Sequence, residues 1–292
     1  MTRLASLTLA GLWLVLLSVP AGLAYAKADE GVGIVAEYRP AAARFEFSRA
    51  DQLVPVRIGM VVVPGDSLKL PAGSAVVVQQ GDGKRLEFTG PGHFEVPAAA
   101  PLGKISAIFR SLSAVFDDEY RLAGTAASRS GEDCGGDTEV RAIEVPILTG
   151  KPAIAAGTRD LPLTWIGGCT PFAVSLQNDA GRMLYRESVE GRQVRLDDVP
   201  LKPGSYIITV ADSTGLSFRG TVEAMPAAPT LPAELASDAS PLGVVAGAVW
   251  LSEQDNGRWR FDSFERLRPL IRAGDPLAGA IGDGVLWGDA QP

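Results

Sequence analysis

Between residues 31 and 97 no apolar run lasts long enough to make a helix. Segments 33–38, 44–47, 54–58, 67–70, 75–80, 85–89 and 93–96 each hold four to six residues, and each is cut off by Gly, Pro or Asp. Several alternate between apolar and polar side chains or are rich in Val, the pattern of a half-buried or buried strand. Short strands at this spacing predict an all-β unit, with turns at the Gly and Pro positions.

One turn in this region needs a decision. Gly81-Asp82-Gly83-Lys84 offers two glycines and a lysine, the ingredients of a phosphate-cradling loop. A P-loop, however, requires Ser or Thr after the lysine and a helix N-terminus beyond it. Here Arg85 follows Lys84, and 85–89 alternates like a strand. Asp82-Gly83 between two strand-like runs predicts a β-hairpin, with Lys84 a solvated residue beside the turn.

Beyond residue 97 the period changes. Leu102, Ile105, Ile108, Phe109, Leu112, Val115 and Phe116 recur at intervals of three and four, which predicts an amphipathic helix over 101–117 with its apolar face on the β unit. Residues 118–139 carry no periodicity and are expected to form a flexible loop. Strand signals return at 143–148, 161–166, 172–177, 183–187, 193–197, 206–211 and 216–223. Seven strands within 140–224 fit an immunoglobulin-like or fibronectin-like β-sandwich. Trp165 stands where such a sandwich buries a core Trp, and Tyr206, just after Pro203-Gly204, resembles a tyrosine corner.

Residues 225–240 are rich in Pro and Ala and read as a semi-rigid linker, followed by a helical tail over 241–287. Ser240-Pro241 and Asp275-Pro276 are helix starts, Asp262 with Glu265 is a capping-box pattern, and Asn256-Gly257 and Gly274 are stops. Pro269 should kink or shorten the middle helix. The tail resembles one helical-repeat unit of the tetratricopeptide kind. Trp250, Trp259 and Phe264 are its candidate partner-binding residues, with core packing as the competing role.

The inventory of reactive groups is short. His93 is the single histidine, and no His stands in zinc-like spacing with Cys134 or Cys169, so no metal or cofactor site is expected. No Gly-x-Ser-x-Gly elbow is present. The carboxylates of Asp117-Asp118-Glu119 and Asp197-Asp198 look like solvated ends of elements, so catalysis is not expected. Cys134 and Cys169 are candidates for one disulfide.

Export is expected from the N-terminus. Arg3 precedes an apolar stretch from 4 to 19, and Ala24-Tyr25-Ala26 forms a small-x-small site, so 1–26 reads as a signal peptide cut before Lys27. An uncleaved anchor is the alternative, and only in that case is a membrane a partner. Removing Arg3 takes the formal charge from -7 to -8, which excludes nucleic acid as a favoured partner. The expected location is periplasmic or secreted.

A family resemblance joins these observations. Val56-Arg57-Ile58-Gly59, Pro64-Gly65-Asp66-Ser67-Leu68, Gly73-Ser74-Ala75-Val76-Val77-Val78, Asp82-Gly83, Leu86-Glu87-Phe88 and Gly90-Pro91-Gly92-His93-Phe94 together resemble the extracytoplasmic domain of FecR-type proteins. Gly65, Asp66, Asp82 and Gly83 are its structural turn residues. The resemblance implies a non-enzymatic module outside the cytoplasm that binds protein or glycan, and in the founding members passes a signal from an outer-membrane receptor to a sigma factor. Those regulators carry a cytoplasmic arm before their membrane span, whereas only Met1 to Arg3 precede the apolar run here. The expected function is therefore a non-catalytic binding or scaffolding protein of the cell envelope. A single-pass regulator and an envelope hydrolase are the alternatives.

Overall fold

The computed structural model describes residues 30–40, 43–112 and 142–287. The expected signal peptide, residues 113–117 of the expected helix, the 118–139 loop and Cys134 lie outside them.

The first β unit contains β1 (Gly33–Arg39), β2 (Glu46–Arg49), β3 (Gln52–Pro55), β4 (Val61–Val62), β5 (Ser67–Leu70), β6 (Ala75–Gln80), β7 (Arg85–Thr89) and β8 (Gly92–Glu95). They form two four-stranded sheets, ordered β4-β1-β6-β7 and β3-β2-β5-β8. Phe47, Val62, Leu68, Val76 and Val78 fill the core between them. The β6–β7 hairpin is the one the Asp82-Gly83 pair predicts. The Gly83 N–H donates to the Gln80 carbonyl at 3.0 Å, Gly83 has φ +85°, and the Gln80 N–H donates to the Lys84 carbonyl at 2.7 Å. Lys84 is exposed and pairs with the Asp82 carboxylate at 2.6 Å.

Strand β2 begins two residues later than the pattern suggests. The chain reverses at Ala50 and Asp51, with φ 47° and 63°; Asp adopts left-handed angles more readily than most residues, but Ala50 gives no such signal. Helix α1 (Lys104–Leu112) follows.

The second unit is an immunoglobulin-like β-sandwich. Strands β9 (Ala153–Ala155), β10 (Gly157–Thr164), β11 (Phe172–Asn178), β12 (Met183–Val189), β13 (Gln193–Leu201), β14 (Gly204–Ala211) and β15 (Ser217–Met225) form a five-stranded sheet, β12-β11-β14-β15-β9, and a β10-β13 pair. Residues 143–148, expected as a strand, instead make one bridge between Glu144 and Ile166 and a 3-10 turn at Pro146–Leu148. Pro146 lacks the N–H that a central strand needs. The missing edge is supplied by β9, three residues paired parallel to β15.

Four more helices close the chain: α2 (Ala233–Ser237), α3 (Pro241–Glu253), α4 (Arg260–Arg272) and α5 (Pro276–Trp287). Ser240 caps α3 by accepting the Gly243 N–H at 3.0 Å, and Asp275 accepts the Ala278 N–H at 2.9 Å. Helix α4 starts at Arg260, so Asp262 lies inside it and forms no capping box. The helix also continues past Pro269 to Arg272. Residues 225–240 are not a free linker, because α2 buries Leu235 in the same cluster as α3.

The helices lie between the two β units. Ile34, Ala36 and Val61 of the first unit share one cluster with Phe109 of α1, Val245 and Val249 of α3, Leu267 of α4 and Ile281 of α5. Phe261 of α4 and Leu286 of α5 belong instead to the sandwich core, with Trp165, Phe172 and Ile208. Phe264 packs against both clusters.

Candidate functional site

Among the described residues, two groups of partly buried charged side chains tie separate elements together. In the first β unit the Asp66 side chain is fully buried. Arg49, at the end of β2, donates from Nε to Asp66 Oδ1 at 2.8 Å and from a terminal nitrogen to Oδ2 at 2.6 Å. The same guanidinium reaches the Val61 carbonyl at 2.9 Å, and the Val63 N–H donates to Asp66 Oδ2 at 3.0 Å. Asp66 was expected only as a turn residue. It is instead the anchor of a clasp between the β2–β3 hairpin and the β4–β5 turn, while Gly65 supplies the left-handed angle, φ +84°.

The second group joins α4 to the sandwich. Arg268 pairs with Asp160 of β10 and, at 2.8 Å, with Glu265. Asp262 accepts the Ala155 N–H at 3.0 Å and faces Arg159 at 3.8 Å. Burial pushes the Asp262 carboxyl above its ordinary value, against the opposing effects of the Ala155 hydrogen bond and Arg159. Burial raises Glu265 as well, with Arg268 opposing it. One turn earlier, Arg258 pairs with Glu223 and donates to the Lys151 carbonyl. Every carboxylate of this group has a cationic or backbone partner, which suits a joint that fixes one element to another.

The remaining expected residues fall as follows. The Tyr206 hydroxyl accepts the Lys202 N–H at 2.7 Å and donates to the Lys202 carbonyl at 2.9 Å, a tyrosine corner. Cys169 is buried and disulfide-bonded. Trp259, a partner-binding candidate with core packing as its competing role, is buried and donates from Nε1 to Asp255 at 2.9 Å, which is the packing role. Trp250 and Phe264 are half-buried against the central cluster. The apolar side chains of the C-terminal helices thus turn inward, toward both β units. Among the described residues no group of three or more His, Cys, Asp or Glu is arranged to hold a metal ion. No described helix is long and apolar enough to cross a membrane.

The surfaces left to a partner are sheet edges and faces. β9 is covered by the segment leading into α4, where the Arg258 carbonyl accepts the Ala153 N–H at 2.8 Å. β3 exposes Leu53 at 68%, but Pro55 removes one edge donor, a common protection against strand addition. The outer face of the five-stranded sheet is open, with Arg186, Ala173, Ser217 and Arg219 all exposed. Sequence reasoning missed this face. Its signal was present in the period of two along β11, β12, β14 and β15, whose alternate residues must point away from the core.

No family model matches the chain, and no curated protein matches it. Among solved structures it is similar to CopC from Methylosinus trichosporium OB3b, at 25% identity over 26% of this chain and 86% of that one, with a TM-score of 0.20. It is also similar to fibronectin(III)-like modules of CbhA from Clostridium thermocellum, at 11% identity over 66% and 78% of the two chains and a TM-score of 0.21. PorZ, a surface component of the type-IX secretion system of Porphyromonas gingivalis, matches at 14% identity over 62% of this chain and 25% of its own, with a TM-score of 0.20. TM-scores this low describe local likeness, so the β-sandwich rests on its own strand pairing.

Proposed function

We propose that this chain is an exported, non-catalytic binding or scaffolding protein of the bacterial cell envelope, engaging a protein or glycan partner through its β units. The observation that carries this reading is the position of the C-terminal helices. Their apolar residues pack on both β units, with Phe264 in contact with each cluster, so the helices act as the frame and leave sheet surface outside. The charged groups at the α4 joint and at Arg49 and Asp66 have structural partners, which fits holding rather than turnover. The FecR-like turns of 31–97 and the leader-like 1–26 support an extracytoplasmic setting.

Photo-crosslinking from Leu53 of β3 and Met183 of β12 in intact cells, combined with N-terminal sequencing, tests the proposal. The expected result is a mature chain starting at Lys27 in the soluble envelope extract, attached to a discrete envelope component. A chain intact from Met1 in the membrane fraction would replace it with the anchored regulator. Cleavage of envelope glycan or peptide by the purified protein would replace it with the hydrolase.

A further inference from the structure

The five-stranded sheet of the sandwich turns Val174, Leu176, Ile208, Val210 and Val222 inward, so the residues between them face outward. Register then fixes their rows. Arg186 of β12 is opposite Ser175 of β11, Ser175 is opposite Thr209 of β14, and Thr209 is opposite Arg219 of β15. One straight row across four strands therefore reads Arg, Ser, Thr, Arg. Three interstrand spacings separate the two arginine Cα atoms by about 14 Å.

Neither guanidinium has a hydrogen-bond or ion-pair partner among the described residues, and both side chains belong to exposed residues. That is unusual company in a chain of net charge -7. The neighbouring rows add Ser188, Ala173, Ala211 and Ser217 on one side, and Met183, Gln177, Ile207 and Thr221 on the other, with no carboxylate. Acids appear on this face only one row further out: Glu223 on β15, which Arg258 neutralises, Asp179 beside it beyond the end of β11, and Glu190 just past β12 on the opposite side.

We infer that this face binds a carboxylate-bearing polysaccharide strand, laid along the row from Arg186 to Arg219. The inference rests on the proposed binding function and names its ligand class. Guanidinium forks match carboxylates in bidentate geometry, and two of them at the ends of a row of hydroxyls suit an acidic, polyhydroxylated chain. The backbone groups of the central strands are already paired within the sheet, so an extended peptide finds no ladder to join here. A second copy of the sheet in antiparallel contact would bring arginine against arginine. No aromatic ring stands in these three rows, so a neutral sugar has no platform for stacking and charge must supply the affinity.

Calorimetric titration of the full exported chain with polygalacturonate tests this, with dextran as the neutral control and poly-glutamate as the acidic polypeptide. The expected result is binding of polygalacturonate that weakens with salt, no binding of dextran, and a loss of at least about tenfold for the Arg186→Gln, Arg219→Gln double variant. Both substitutions are at exposed positions, and an unchanged melting curve confirms the fold. Absence of polygalacturonate binding, or binding indifferent to the double substitution, overturns the inference. Equal or tighter binding of poly-glutamate also overturns it and assigns the face to an acidic polypeptide. If these fail while the chain still crosslinks to an envelope component in cells, only the ligand class falls. Retention at Met1 in the membrane, or substrate turnover, removes the wider proposal whatever the titration gives.

Discussion

Asp66 illustrates how a buried charge becomes affordable. A carboxylate without exposed surface would ordinarily be expelled or neutralised, but Arg49 and the Val63 N–H satisfy both of its oxygens. Arg49→Ala would leave that carboxylate without its cation, and should cost about 3 kcal/mol in a denaturant titration. Asp66→Asn retains an acceptor and should cost less. Equal stability of Arg49→Ala and the parent would show the clasp to be dispensable. Sequence could identify the Gly65-Asp66 turn but not the clasp, because the partner is 17 residues away and its approach depends on the left-handed angles of Ala50 and Asp51. Asp262 was misread for a related reason. Its spacing from Glu265 imitates a capping box, while its actual partner, the Ala155 N–H, is 107 residues distant.

Asp262 also makes a pH prediction. Its carboxyl is raised above 3.8 chiefly by burial, so the folded state binds its proton more tightly than the unfolded chain does. That contribution to stability is fully present below the ordinary carboxylate range and is lost as pH rises through the folded value. Asp212 behaves in the opposite sense. Burial works against its ionised form, yet hydrogen bonds from Cys169, Thr214 and Leu216 outweigh it and hold the carboxyl below 3.8. Its contribution is present above the ordinary value and is lost only as pH falls through the folded one. Between pH 7 and about 4, therefore, Asp262 should add stability on acidification while Asp212 loses almost none. Asp262→Asn should flatten this slope in thermal melts across the range, and an unchanged slope would reject the assignment.

At the scale of elements, local signals performed well wherever a residue type has only one comfortable use. Strands β5, β6 and β7 have the bounds expected from their alternation and flanking glycines. The Ser240 and Asp275 caps are where N-terminal chemistry requires an acceptor. Tyr206 combines such a local signal with a long-range task, tying the start of β14 to the turn at Lys202 through two hydrogen bonds. Tyr206→Phe keeps the ring in the sandwich core and removes only the hydroxyl. The expected loss is about 1–2 kcal/mol, read from the denaturant midpoint, with the circular dichroism unchanged. No loss would mean that water replaces the corner at no cost. What local signals could not supply was pairing between distant segments. Strand β9 is three residues long and exists only because β15 offers it an edge, and the 143–148 run yields to Pro146.

The whole molecule is organised around a feature that no local pattern shows, namely which side of the helical tail meets which β unit. Phe261, Phe264 and Leu267 recur at a spacing of three along the chain, but such a stripe does not name its cover. Here it is divided: Phe261 goes to the sandwich, Leu267 to the cluster under the first β unit, and Phe264 to both. Removing residues 241–287 would uncover Ile34, Ala36, Val61 and Phe109 on one side and the β9 edge on the other. Leu242, Val245, Val249, Leu267, Leu277 and Ile281 alone, at roughly 1.5–3 kcal/mol for each buried side chain, put the loss on the order of 10 kcal/mol. That equals the whole margin of a typical domain. A chain ending at residue 240 should therefore bind a hydrophobic dye, aggregate and lose the cooperative melt of the parent. A milder probe, Phe264→Ala, should lower stability by about 2–4 kcal/mol and, if the helices couple the units, shift both together. The coupling is best followed by hydrogen exchange at β1 and β14. Faster exchange at both strands in Phe264→Ala is the expected outcome, whereas loosening of one strand alone would mean that the helices belong to a single unit and merely touch the other.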